Sequence, residues 1–171
     1  MKRFLKLLFG SLLVLLILLQ FYPKSNYNTS QKIFLSDISI AHHVPAQVQQ
    51  ILKTSCYDCH SNNTIYPWYA AIQPVSLWLA DHIKEGKAEL NFAEFGGYSL
   101  RRQFRKLEEI SEQVKEGEMP LTSYSIIHRN AKLSPDKQLA LSNWTVALRD
   151  SFRAGYPADS LEGKKDNIGK N

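Results

Sequence analysis

Cys56, Cys59 and His60 stand together in Cys56-Tyr57-Asp58-Cys59-His60, and the chain has no other cysteine. Two thiols separated by two residues, with an imidazole directly after the second, form the CxxCH pattern that attaches haem covalently. Each side chain has its own task. The thiols add across two vinyl groups as thioethers, and the imidazole reaches the iron as proximal ligand. Other readings of these residues are weaker. A thioredoxin-like redox pair sits near a βαβ pattern, and no strand–helix–strand alternation surrounds residues 50–70. A structural zinc site normally takes four ligands, and no second Cys or His pair follows at finger spacing. A disulfide between Cys56 and Cys59 would close a very small loop and stabilise little.

An electron-transferring haem also needs a sixth ligand, and Met119 is the first candidate. It is the only methionine besides Met1 and lies in Gly117-Glu118-Met119-Pro120. A thioether is a soft ligand that favours ferrous iron and raises the potential, and Pro120 stiffens the backbone beside it. The bland alternative is a methionine filling a core gap. His82 is the rival ligand, although a histidine on an apolar helical face usually serves as a hydrogen-bonded core residue. His42, His43 and His128 read as solvated surface. The second ring nitrogen of His60 needs a partner, normally a backbone carbonyl, and the rigid segments at Pro67 or Pro74 are candidates to supply it. Trp68, Tyr66, Tyr69 and Trp78 are candidates for the pocket wall, with ordinary core packing as the alternative.

Helices must position these groups. After Pro45, Val48, Ile51 and Leu52 share one face and run directly into CxxCH. A second helix starts at Pro74, carries Val75, Trp78, Leu79, His82 and Ile83 on one continuous face, and should end near Gly86. Ser99 is the N-cap of a third, with Leu100, Phe104, Leu107, Ile110 and Val114 at helical spacing and Gly117 as its stop. Ser134-Pro135-Asp136 starts a fourth that aligns Leu141, Trp144, Leu148 and Phe152. No repeat and no sustained strand alternation occurs, so the fold class is all-α.

At the start of the chain, Lys2, Arg3 and Lys6 precede the apolar run Leu7–Leu19, and Phe21 and Tyr22 follow as interfacial aromatics. This reads as an export signal. The run is short for a membrane span and resembles a signal-peptide h-region about as well. Because no A-x-A-like cleavage site follows, an uncleaved transmembrane helix is favoured over a removed signal. The basic residues would then stay inside, and the rest would face the periplasm from a single-pass anchor in a bacterial cytoplasmic membrane. Those same three residues hold three of the five excess charges in the formal +5, so the basic balance marks topology and not a nucleic-acid surface. The expected division is an anchor or signal over 1–22, a tether over 23–43, one haem-binding domain over 44–152 and a flexible polar tail over 153–171.

These pieces resemble a bacterial family of single-haem "haem-binding domain" proteins, related in layout to class I c-type cytochromes. The resemblance rests on Cys56-Tyr57-Asp58-Cys59-His60-Ser61-Asn62, Tyr66-Pro67-Trp68-Tyr69, Pro74-Val75-Ser76, His82-Ile83-Lys84-Glu85-Gly86-Lys87 and Met119-Pro120. It covers residues 44–148 and implies a cytochrome c-like helical domain wrapped round one covalently attached haem c. His60 is then the proximal ligand and Met119 the distal one. The leading functional expectation is a carrier of single electrons that serves redox partner proteins outside the cytoplasm. The alternative is a peroxidase-like haem enzyme or a haem-based sensor with an exchangeable sixth ligand.

Overall fold

A computed structural model describes residues 1–30 and 32–162. Among them are nine α-helices and three short 3-10 turns, with no strand. The helices are α1 (Lys2–Leu19), α2 (Ile38–Ala41), α3 (Ala46–Ser55), α4 (Tyr57–His60), α5 (Val75–Glu89), α6 (Leu100–Glu116), α7 (Thr122–Ile127), α8 (Pro135–Gly155) and α9 (Ala158–Glu162). The all-α expectation holds.

Local chemistry explains the two long helices of the core. The Ser99 hydroxyl accepts a hydrogen bond from Arg102 N at 3.3 Å and so caps α6. Gly117 ends it at φ 77°, a left-handed conformation that glycine adopts without a Cβ penalty. In α8, Ser134 accepts from Lys137 N at 3.4 Å and Pro135 fills the first turn. Phe104, Leu107, Ile110 and Val114 then form the buried face of α6, while Leu141, Trp144 and Phe152 do so for α8. Val48, Ile51 and Leu52 of α3 close the core against them.

The segment before the domain is not a tether. Ile38 is fully buried in the core, Gly96 N donates to Ser36 O at 2.8 Å, and Asn28 Nδ2 donates to Ser61 O at 2.8 Å. Thr64 N donates in turn to Asn28 O at 2.8 Å. Polar composition suggested an unstructured spacer, whereas these polar groups are spent on backbone partners. At the other end, α8 continues to Gly155, and α9 buries Leu161 beside Phe104 and Phe152. The flexible-tail reading is therefore corrected for 153–162, and its remainder, 163–171, lies outside the described residues.

The expected transmembrane anchor is also corrected. Among the described residues, no helix is long and apolar enough to cross a membrane. In α1, Lys2, Arg3 and Lys6 occupy the first turns. The uncharged stretch that follows reaches only about 20 Å at about 1.5 Å per residue, short of a hydrocarbon core roughly 30 Å thick. The single-pass placement deduced from that anchor falls with it. The structure instead ties the end of α1 to the loop before α5: Gln20 Nε2 donates to Gln73 O and Gln20 Oε1 accepts from Gln73 N, both at 3.0 Å.

Candidate haem site

The CxxCH residues form a single helical turn set at an angle to α3. Cys56 interrupts the helix at φ −128° and ψ −41°, and its carbonyl then accepts from Cys59 N and His60 N at 3.2 and 3.0 Å. The intervening residues fasten this turn to its surroundings. Tyr57 stacks on Phe92 with ring centroids 5.4 Å apart, and its hydroxyl donates to Asp37 Oδ1 at 3.2 Å. Asp58 Oδ1 accepts from Ile65 N at 2.9 Å, and Asp58 Oδ2 accepts from the Tyr124 hydroxyl at 2.6 Å.

Helix α5 crosses α4 at Gly86, where sequence reasoning had expected the helix to end. A Cβ added at Gly86 would lie 2.8 Å from Cys59 O and 3.3 Å from Cys59 Cβ. The glycine therefore permits close approach of two backbones. Along α5, Ser76 and Ile83 are buried while Trp78 is 47% exposed. Gly86→Ala is expected to lower unfolding stability by about 1–3 kcal/mol through overpacking, read as a reduced urea midpoint. An unchanged midpoint would contradict the close-approach role.

The crossing also brings the end of α5 over the imidazole. His60 Nδ1 donates to Leu90 O at 3.0 Å, so the carbonyl comes from Leu90 and not from the Pro67 or Pro74 segment. With the proton held on Nδ1, the Nε2 lone pair is available to a metal. Burial holds the His60 pKa below its ordinary value, partly opposed by the backbone acceptors, and keeps the ring in the neutral form that ligation requires.

Cys56 and Cys59 are both free of a disulfide. Burial pushes the Cys56 thiol up to about 12, with the neighbouring Cys59 adding to the effect. Burial and Asp58 push Cys59 up to about 11. These shifts run opposite to the lowered values of a thioredoxin-like reactive pair, so both groups persist as neutral thiols. Among the described residues, no three His, Cys, Asp or Glu side chains cluster as an ion site of zinc type would need.

A cleft with two lobes opens beside this turn. The larger lobe, ≈ 370 Å³, is lined by Leu90, Phe92, Ile110, Val114 and Leu141; the smaller, ≈ 310 Å³, by Cys59, His82, Leu121 and Tyr124. Cys56, His60 and Met119 line both. The cleft is thus within the size range of small-molecule and cofactor sites, roughly 300–1,000 Å³. Met119 reaches it because the chain turns sharply after Gly117: Glu118 N and Met119 N both donate to Gln113 O, at 3.0 and 3.2 Å. Among the described residues, Lys106 is the one cation lining either lobe; it is paired with Glu89 at 3.3 Å and Glu109 at 2.5 Å.

The other expected residues are placed differently. His82 lines only the smaller lobe, with Nδ1 donating to Trp78 O at 3.0 Å, so it is neither a core histidine nor outside the cleft. Tyr66 and Trp78 line a separate groove against Asn26 and Asn28, Trp68 is 79% exposed, and Tyr69 contacts His128. None of these four walls the CxxCH cleft. His42 and His128 are half-buried and bonded, to Gln103 at 2.8 Å and Tyr69 at 3.3 Å, and are not solvated surface. Leu90, Gly86, Asp58 and Tyr124 escaped sequence reasoning; the visible signals were an Asp inside the CxxCH turn and a Tyr soon after Met119.

An apolar cleft with two neutral thiols and one correctly protonated imidazole at its edge fits a haem: the thiols suit thioether attachment, and the free Nε2 suits iron. A helical domain so equipped belongs to the cofactor-binding class. A family model described as a haem-binding domain matches residues 14–147, and the chain belongs to that family. No curated protein and no solved structure matches it.

Proposed function

We infer that this domain holds one haem c through thioethers from Cys56 and Cys59, takes His60 and Met119 as axial ligands, and passes single electrons between redox partner proteins. The observation that carries the reading is the shared cleft: His60, with Nδ1 committed to Leu90, and Met119 line the same two lobes. Bound haem would supply a one-electron iron couple whose potential depends on its axial ligands. The chain supplies the rest. Cys56 and Cys59 are free of a disulfide, the reduced state that thioether attachment starts from, and Leu90 fixes the imidazole tautomer. The apolar walls from Phe92 to Leu141 would face the macrocycle, while the Lys106 charge is already compensated by Glu89 and Glu109.

The test is the absorption spectrum of the ferric protein. Methionine ligation predicts a low-spin spectrum with a weak near-infrared Met-to-iron charge-transfer band. A high-spin spectrum with rapid reaction toward peroxide supports the second reading, a haem enzyme or sensor with an exchangeable sixth ligand. The presence of His82 in the smaller lobe favours that alternative specifically, because an acid–base group then lines the same lobe as Met119.

A further inference from the structure

Met119 lies between two anchors. On its N-terminal side, the carbonyl of Gln113 in α6 accepts from Glu118 N and Met119 N. On its C-terminal side, Pro120 and Leu121 lead into α7, whose Tyr124 hydroxyl donates to Asp58 Oδ2 at 2.6 Å. Asp58 lies between the two cysteines of CxxCH, so this single bond joins the Met119 strap to the turn that carries the attachment residues. Asp58 is itself well held: Oδ1 accepts from Ile65 N at 2.9 Å, and its carbonyl accepts from the Thr64 hydroxyl at 2.6 Å. The Tyr124 ring is fixed from the other side, stacked on His128 at 4.1 Å between centroids, and His128 Nε2 meets the Tyr69 hydroxyl at 3.3 Å. Burial, with Asp58, raises the Tyr124 pKa and keeps the phenol protonated, hence able to donate.

We propose that Asp58 and Tyr124 form a latch that positions Met119, so that the strength of this one hydrogen bond sets how readily the sixth coordination position exchanges its ligand. Both residues line the smaller lobe next to Met119 and Cys59. A hydrogen bond to a carboxylate is roughly twice as strong as one between neutral groups. With the latch open, the strap loses its tie to the CxxCH turn and keeps the Gln113 bonds and the His128 stack, so the sulfur can shift without α6 unwinding. Tyr124 and Asp58 are positioning residues: they act through Met119. The proposal deepens the methionine-ligated reading given above and rests on it.

The experiment uses the haem-loaded full chain and measures the rate at which imidazole binds the ferric protein, together with the near-infrared Met-to-iron band. Tyr124→Phe removes the donor and keeps the ring that stacks on His128. Tyr69→Phe removes a hydroxyl from the same network without touching Asp58. Tyr124→Phe is expected to accelerate imidazole binding roughly tenfold to a hundredfold, the factor that corresponds to losing a hydrogen bond to a charged group, with the near-infrared band weakened. Tyr69→Phe should stay near the unmutated rate. Equal acceleration in both variants, or none in Tyr124→Phe while the unmutated protein shows the band, overturns the latch. If the unmutated protein lacks the band altogether, methionine ligation itself fails and the latch falls with it; the spectrum of the parent therefore separates the two failures.

Discussion

Met119→Ala should make the ferric protein bind imidazole about 100-fold more tightly than the unmutated protein, on the expectation that the methionine-free state is a minor state near 1% in the parent. A protein whose binding-competent form is scarce shows an affinity reduced by that fraction, and deleting the competing sulfur removes the reduction. The same change should convert the haem toward high spin and lower its potential, because a soft ligand favouring ferrous iron has gone. His82→Ala should alter the affinity by less than about twofold, since His82 is bonded within its own helix and lines only the smaller lobe. Imidazole titration of the two variants side by side decides between them. A silent Met119→Ala with an opened His82→Ala would replace the assignment by bis-histidine ligation.

The double variant Cys56→Ala with Cys59→Ala should lose all haem that survives denaturation, since the chain contains no other thiol. Haem staining of a denaturing gel, on protein matured in a host that performs thioether attachment, measures this directly. Each single variant should keep the colour through its remaining thioether. The helical fold should persist in the double variant, because the packing of α3, α6 and α8 lies in Leu52, Leu107, Leu141 and Trp144 and not in the cysteines. Circular dichroism then separates lost attachment from lost folding. Haem that still travels with the denatured double variant would mean that other residues attach it.

What could be read in advance was local. Ser99, Gly117 and Ser134-Pro135 announce their helix ends through groups within three residues of the bonds they make. The CxxCH turn is local in the same sense, since Cys59 N and His60 N bond the carbonyl of nearby Cys56. Contacts between distant segments were not. Asp58 meets Tyr124 across 66 residues, and nothing in either neighbourhood specifies the partner. In α5, the predicted apolar face is buried at Ile83 but open at Trp78, and the approach of Gly86 to Cys59 had no hydrophobic signal, because backbone approach selects for missing volume and not for apolarity. The segment around Asn28 and Ile38 looked like a spacer because one buried isoleucine and a few polar side chains carry its docking. Hydropathy also overvalued α1, where the charge at Lys6 shortens the apolar reach below a membrane's thickness.

The most direct measurement is the intact mass of the purified, unmutated protein under denaturing, acidic conditions. The attachment of haem through Cys56 and Cys59 predicts one species, heavier than the polypeptide by a single haem. A bare polypeptide mass, with the haem recovered separately in the organic phase, would contradict it.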